Sequence, residues 1–307
     1  MRLSGSLGKR VIGRSPTSDA TEVRRCGLAS VLVAGVSAGL VAIGATVAVE
    51  RLGGRLGGLL GTLPTTIVPA AAGIWTASSD PDAFVASMAA VPVGMWVNVL
   101  FLLVWREAPA RLPKAALSLR LALMVCVSLA VWAVVATAAV FVMSQLENLG
   151  ITAMVPGVCC AGLSLTFGLW STWRPRPAPK GKRTVGSVTL AARGVLAAAA
   201  ISGAVLLASV AGPLISGVAS VFPAIFLTSM VSLWWSQGEA VQGGAVGPMM
   251  LGSTAVSVYA IFAAFLLPIA GVATGSVIAW ALSVVIITLP AFGWIQWRLR
   301  IGLSVSA

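Results

Sequence analysis

Residues 53–69 read GGRLGGLLGTLPTTIVP, and this stretch interrupts an apolar run where a membrane helix would simply continue. It contains five glycines, two prolines and three threonines. Glycine lets helix backbones approach closely, and proline removes an N–H and clashes with the preceding turn, so a helix kinks or breaks there. Because carbonyl groups freed by a break cannot face lipid, we expect them to be buried in protein or to line a polar cavity.

The composition of the whole chain indicates an integral membrane protein. Of its 307 residues, 58% are hydrophobic and 9% are charged, whereas soluble domains carry about 25% charged residues. Apolar segments of about 20 residues, long enough to cross a bilayer, recur along the chain. They lie at approximately 27–49, 56–78, 83–105, 117–145, 150–172, 188–209, 213–236, 241–267 and 272–297. We therefore predict an all-α fold, a polytopic transmembrane helical bundle with about nine spans.

The net charge of +12 lies almost entirely between the apolar segments, which is typical of cytoplasmic loops that face anionic headgroups. If all nine segments cross, the interhelical basic groups fall on one side, which we predict to be cytoplasmic, and three acidic residues fall on the other. The basic groups are Arg51 and Arg55, then Arg106, Arg111 and Lys114, then the 174–183 cluster, then Arg298 and Arg300; the acids are Asp80, Asp82 and Glu147. Nucleic acid is excluded as a partner because no soluble domain is present to carry a groove reader.

Two polar segments flank or divide the apolar ones. Residues 1–26 are basic and rich in Ser and Thr, and they read either as a cytoplasmic tail or as an organellar presequence. Residues 174–183, RPRPAPKGKR, read as an exposed loop whose charge sets topology, with an acidic-lipid headgroup site as the alternative. We favour the bacterial inner membrane as the location, or an organellar membrane if residues 1–26 are a presequence.

The opening stretch recurs when the sequence is shifted by 159 positions, because residues 212–228 read GPLISGVASVFPAIFLT. The matches extend without a gap over more than fifty residues and include the rare Trp and Pro. The matched pairs are Gly53–Gly212, Gly58–Gly217, Pro64–Pro223, Trp75–Trp234, Asp80–Glu239 and Pro109–Pro268. We predict two repeats of four segments, at 27–145 and 188–307, with a linker helix and basic loop at 146–187. Five segments precede the second copy, so the repeats are predicted to be inverted, as in many secondary transporters.

The stretch SGVASVFPAIFLTSMVSLWW (216–235), followed by an acidic loop and GPMMLGSTAVSVYAIFAAFLL (247–267), resembles the small bacterial membrane proteins of the GlpM type. The related uncharacterised DUF3147-type modules are also similar. The matching residues are Gly217, Phe222, Pro223, Gly252 and Tyr259 in the second copy, and Gly57, Gly58, Leu63, Pro64, Thr65, Gly94 and Trp96 in the first. Ala224 departs from the Thr that such modules carry after the proline. The resemblance implies an integral membrane protein linked by name to glycerol metabolism, and it supplies no catalytic or binding residues.

Catalytic and metal-binding patterns are absent from the sequence. There is no histidine, the four cysteines follow no zinc spacing, and no nucleophile–base set or carboxylate pair is found. All eight acidic residues lie in the tail, at segment ends or in loops, so proton coupling lacks its usual relay. We therefore predict no enzymatic activity, no cofactor and no metal, and a neutral or amphiphilic substrate.

The broken segments supply the candidate substrate pathway, because glycine, proline and hydroxyl residues meet there. The candidates are Gly58, Thr62, Pro64, Thr65, Thr66, Asn98, Gly217, Ser220, Pro223, Thr228, Ser229 and Ser257. A pair of proline-kinked packing helices without a ligand is an equally weighted alternative. For Asn98, a hydrogen bond to a neighbouring helix is favoured over contact with a ligand.

Two functions remain open from the sequence. The first is a transporter or facilitator of a small neutral or amphiphilic solute. The second is a non-transporting scaffold that organises lipids or a partner complex through small-residue helix faces. Membrane lipids are partners in both, and self-association into an oligomer is left open.

Overall fold

The computed structural model describes residues 31–41, 43–44, 63–113, 115–173, 186–237 and 239–305, and every regular element in these ranges is helical. The predicted all-α bundle is therefore confirmed. The helices are α1 (Val31–Val41), α2 (Ile67–Ala77), α3 (Pro81–Glu107), α4 (Leu117–Asn148), α5 (Met154–Trp173), α6 (Ser187–Val210), α7 (Pro213–Ala219), α8 (Ala224–Gln237), α9 (Glu239–Ala270), α10 (Val272–Ser283) and α11 (Leu289–Val305). A 3₁₀ turn, Pro109–Arg111, follows α3, and a π-helix, Val284–Thr288, joins α10 to α11.

Seven helical segments in the described ranges are long and apolar enough to cross a membrane. Helices α7 and α8 together make one of them, and α10 with α11 makes another. The shorter apolar helices α1 and α2 fall inside the first two predicted segments. The chain is thus an integral membrane protein, and the count of nine spans stays a prediction.

Local chemistry explains where several helices begin. Asp80 caps α3, because its carboxylate accepts a hydrogen bond from the Ala83 N–H (2.8 Å) and Pro81 occupies the first helical position. This bond, with a second from Ser79 Oγ, holds the pKa of the Asp80 carboxyl below its usual value. Gly212 and Gly271 precede α7 and α10 with φ of 88° and 78°, a backbone conformation that favours glycine.

Helices α3, α5 and α9 form the centre of the bundle, and each packs against the other two. A Cβ atom at Gly157 of α5 would overlap the Ala89 carbonyl oxygen of α3. A Cβ atom at Gly168 of α5 would lie 2.6 Å from the Leu251 Cα atom of α9. The two glycines therefore let α5 touch the backbones of both neighbours, as small residues do between membrane helices.

The same contacts give the relative directions of these helices. Helix α3 runs parallel to α5, because Ala89 lies beside Gly157 near one end and Arg106 Nη1 donates to the Ser171 carbonyl (2.9 Å) near the other. Helix α9 runs antiparallel to α5, since Leu251 lies beside Gly168 while Gly247, earlier in α9, lies beside Ser171. Helices α3 and α9 therefore run in opposite directions.

Two arginines from other helices, Arg106 and Arg298, contact the C-terminal end of α5. Besides the Arg106–Ser171 bond, Arg298 Nε of α11 donates to the Trp173 carbonyl (2.8 Å), the last residue of α5. The basic segment 174–183 follows Trp173 directly in the sequence. These positions agree with the grouping of charges that the positive-inside rule predicts.

Candidate functional site

Pro64 and Pro223 lie in tight turns of the same geometry. The Thr65 N–H donates to the Leu63 carbonyl (2.9 Å), and the Ala224 N–H donates to the Phe222 carbonyl (2.7 Å). Each is a three-residue turn around the proline, a conformation that suits its restricted φ and missing N–H. The turn at Pro64 precedes α2, and the turn at Pro223 separates α7 from α8. The two prolines are 159 positions apart.

The carbonyl groups near the second turn are satisfied by side chains. Ser220 Oγ donates to the Gly217 carbonyl (2.7 Å). Asn98 Nδ2, from α3, donates to the Val221 carbonyl (2.6 Å). The break is therefore buried against protein groups, which is the arrangement that an apolar environment requires.

Asn98 connects three elements of the bundle. It is 1% exposed, and its Oδ1 accepts from Trp132 Nε1 of α4 (2.9 Å) while its Nδ2 donates to the Val221 carbonyl. The Trp132 ring in turn packs edge-on against Phe222, with centroids 5.1 Å apart. The favoured interpretation of Asn98, a hydrogen bond between helices, matches these contacts.

A cavity of about 110 Å³ lies between the two proline turns. The first turn contributes Leu63 and Thr66, and the second contributes residues 220–222 and Ala224. Helix α3 adds Asn98, which lies near the middle of that helix. Further lining side chains from α3, α8 and α9 are Met95, Phe226, Met249, Ser253 and Val256. This volume has room for several water molecules or one small solute.

Two serine hydroxyls of the cavity are available to accept hydrogen bonds. The hydroxyl protons of Ser220 and Ser253 are donated to the carbonyls of Gly217 and Met250, each at 2.7 Å. A hydroxyl that donates its proton retains lone pairs that can accept. None of the described lining residues is charged. The cavity therefore suits an uncharged molecule that donates hydrogen bonds and carries some apolar surface.

The structure sorts the predicted pathway residues into four groups. Thr66, Asn98 and Ser220 line the cavity. Pro64, Thr65 and Pro223 belong to the turns that bound it. Gly217, Thr228, Ser229 and Ser257 are buried in the bundle and are not among its lining residues. Gly58 and Thr62 lie outside the described residues.

Two of the residues away from the cavity have evident packing roles. A Cβ atom at Gly217 would overlap the Ser87 carbonyl oxygen of α3, so Gly217 permits close contact between α7 and α3. Thr228 Oγ1 donates to the Ala224 carbonyl (2.8 Å) within its own helix. A hydroxyl bonded to the preceding turn is common in helices.

Sequence reasoning missed Ser253 and the contribution of α6. Ser253 precedes Ser257, a predicted pathway residue, by four positions. Helical periodicity places the two on one face of α9, and this spacing could have indicated Ser253. Helix α6 contributes Ala197, Ala200 and Ile201 to the lining. These side chains carry no local signal, because small and apolar residues occur throughout the segment.

Comparison with protein-family models, with curated proteins and with solved structures found no match. In the described ranges, no three His, Cys, Asp or Glu residues lie together so that they could hold a metal ion.

Proposed function

We propose that this protein is a transporter or facilitator of a small uncharged solute and that the cavity is part of its pathway. One observation carries the proposal: two proline turns of the same hydrogen-bond geometry, 159 residues apart, bound a single cavity. Broken helices near the middle of the bundle are the usual place for a substrate site in repeat-built transporters.

The contacts of α5 support inverted repeats. Under the 159-residue shift, α3 is equivalent to α9, and the two helices run in opposite directions. Gly157, near the start of α5, lies against Ala89 of α3, and Gly168, near the end of α5, lies against Leu251 of α9. Under the 159-residue shift, Leu251 is equivalent to Pro92 of α3. Ala89 and Pro92 are about one helical turn apart. A two-fold axis through the middle of α5 would exchange these contacts, whereas repeats related by an axis along the membrane normal would keep α3 and α9 parallel.

The hydrogen-bonding groups of the cavity favour the class of solute. An anion or cation would lose its hydration shell among uncharged groups, at a cost that these groups do not offset. A neutral molecule with hydroxyl or amine protons could donate to Ser220 Oγ and Ser253 Oγ while its carbon skeleton contacts Phe226 and Met249. We propose no catalytic role and favour the bacterial inner membrane. The likeness to GlpM-type modules stays a sequence-based prediction.

Thiol accessibility tests whether the cavity belongs to a pathway. In a variant lacking the four native cysteines, Ser220→Cys is compared with Thr228→Cys, which lies beyond the turn and away from the lining residues. We expect a small water-soluble methanethiosulfonate reagent to modify Ser220→Cys much faster. Equal rates at the two positions would contradict an accessible cavity.

Flux measurements test transport itself. Proteoliposomes are exposed to small polyols and amides and, for comparison, to carboxylates of similar size. We expect protein-dependent uptake of the neutral solutes, and its loss after Ser220→Cys is modified. No uptake above that of protein-free liposomes, with tight retention of one partner during purification, would favour the scaffold alternative.

Topology tests the proposed inversion separately. Single cysteines at Ser79 and Gly238, in the same cysteine-free background, are labelled with a membrane-impermeant reagent. The two positions precede α3 and α9, so inverted repeats place them on opposite faces and only one labels from outside. Labelling of both from the same side would make the repeats parallel.

A further inference from the structure

The C-terminal end of α5 and the middle of α11 form a Trp–Arg cluster that consists of Trp173, Trp294, Trp297 and Arg298. The Trp294 ring centroid lies 5.6 Å from that of Trp173 and 5.3 Å from that of Trp297. Trp294 Nε1 donates to Thr172 Oγ1 (3.0 Å), which fixes the ring against α5. The Arg298 guanidinium carbon lies 4.5 Å, 5.9 Å and 5.6 Å from the centroids of Trp173, Trp294 and Trp297.

The guanidinium of Arg298 is oriented but only partly used. Its Nε and Nη2 both donate to the Trp173 carbonyl, one of the groups that a helix C-terminus leaves without an intrahelical partner. An arginine has five N–H donors, so three remain, including both on Nη1. In the part of the chain that the structure describes, no carboxylate lies within 4.0 Å of Arg298. Among the described residues, its positive charge is therefore held in one place with no carboxylate beside it.

The cluster lies at the same end of α5 that Arg106 of α3 contacts. Trp173 and Trp297 are 52% and 49% exposed, so their faces are available to lipid. Tryptophan at this position is typical of the membrane–water interface. Arg300 and the five basic residues of 174–183 add charge close to the cluster in sequence, which raises the local concentration of anionic lipid.

We propose that the Trp–Arg cluster binds the phosphate of one anionic phospholipid. The phosphate accepts hydrogen bonds from the remaining N–H groups of Arg298, and arginine forms such charge-assisted bonds well. The exposed faces of Trp173 and Trp297 pack against the glycerol and the first methylene groups. A bound lipid would thereby join the end of the linker helix α5 to the middle of α11, whether or not the cavity conducts a solute.

Native mass spectrometry in equimolar phosphatidylglycerol and phosphatidylcholine tests this site. Wild-type protein is expected to retain phosphatidylglycerol preferentially. Arg298→Gln is expected to lower that affinity about tenfold, because it removes the charge-assisted hydrogen bonds to the phosphate. The matched control is Arg111→Gln. Arg111 is exposed at the same end of the bundle, and its Nη1 donates to the Glu107 carbonyl (3.2 Å) rather than lying in the cluster. This control is expected to retain wild-type affinity.

Three results would overturn the assignment. The first is equal retention of the two lipids by wild-type protein, a measurement that needs no variant. The second is an equal loss in Arg298→Gln and Arg111→Gln, which would indicate general surface charge. The third is an equal rise in melting temperature with excess inorganic phosphate and with phosphatidylglycerol, which would indicate a site for free anions. Should Arg298→Gln fail to fold, Arg298→Lys keeps the charge but loses the planar donors, and it must bind phosphatidylglycerol more weakly than wild type.

Discussion

Replacing Asn98 by leucine is expected to destabilise the bundle, because it removes two hydrogen bonds and leaves the Val221 carbonyl and the Trp132 N–H without this partner. The bonds join Nδ2 to the Val221 carbonyl (2.6 Å) and Oδ1 to Trp132 Nε1 (2.9 Å). Hydrogen bonds between membrane helices contribute about 0.6 kcal/mol on average and about 1.7 kcal/mol at most. Loss of two such bonds should therefore lower the free energy of unfolding by about 1–3 kcal/mol.

Ser257→Ala is the matched control. Ser257 is equivalent to Asn98 under the 159-residue shift and is fully buried, but its hydroxyl has no hydrogen-bond partner among the described residues. Removing an unpaired hydroxyl leaves no other group unsatisfied. We expect its free energy of unfolding to stay within about 0.5 kcal/mol of wild type.

The assay is reversible unfolding in mixed detergent–SDS micelles, followed by far-ultraviolet circular dichroism. A double-mutant cycle with Trp132→Phe, which keeps an aromatic ring against Phe222, isolates the Asn98–Trp132 bond and should give a coupling of about 0.6–1.7 kcal/mol. The reasoning is refuted if Asn98→Leu is as stable as wild type, or if Ser257→Ala loses as much as Asn98→Leu.

Two further substitutions test packing and capping. Gly157→Ala should lower the free energy of unfolding by about 1–3 kcal/mol, because the new methyl group overlaps the Ala89 carbonyl oxygen. The control is Gly162→Ala, on the same helix with open space around it, which should be as stable as wild type or slightly more stable. Equal losses in the two variants would contradict the close contact at Gly157. The pKa of the Asp80 carboxyl is lower in the folded state than its unfolded value of about 3.8. The charged cap therefore stabilises the fold at pH values above 3.8, and this stabilisation is lost as the pH falls through the folded-state pKa. The melting temperature of wild type should thus exceed that of Asp80→Asn at pH 6, and the difference should disappear in strong acid; a difference independent of pH would show that the carboxylate charge plays no part.

Local features of the fold could be predicted from the sequence. The length of each apolar run sets whether a helix can span a membrane, and proline ends a helix wherever its missing N–H breaks the hydrogen-bond series. Both effects act over a few residues, so the segments and the turns at Pro64 and Pro223 follow from sequence alone. The 159-residue shift likewise identified pairs of positions whose backbones form the same turn.

The identity of the cavity-lining residues depended on tertiary structure. Ser220, Thr228 and Ser229 all lie close to Pro223 in sequence, yet of the three only Ser220 lines the cavity. In a soluble protein, the contrast between polar and apolar faces would have indicated which side of each helix is buried. A membrane helix is apolar toward lipid and toward protein, so that contrast is lost. The apolar runs and prolines thus determined the helices and their breaks, whereas the packing of α3, α6 and α9 decided which polar groups meet at one cavity.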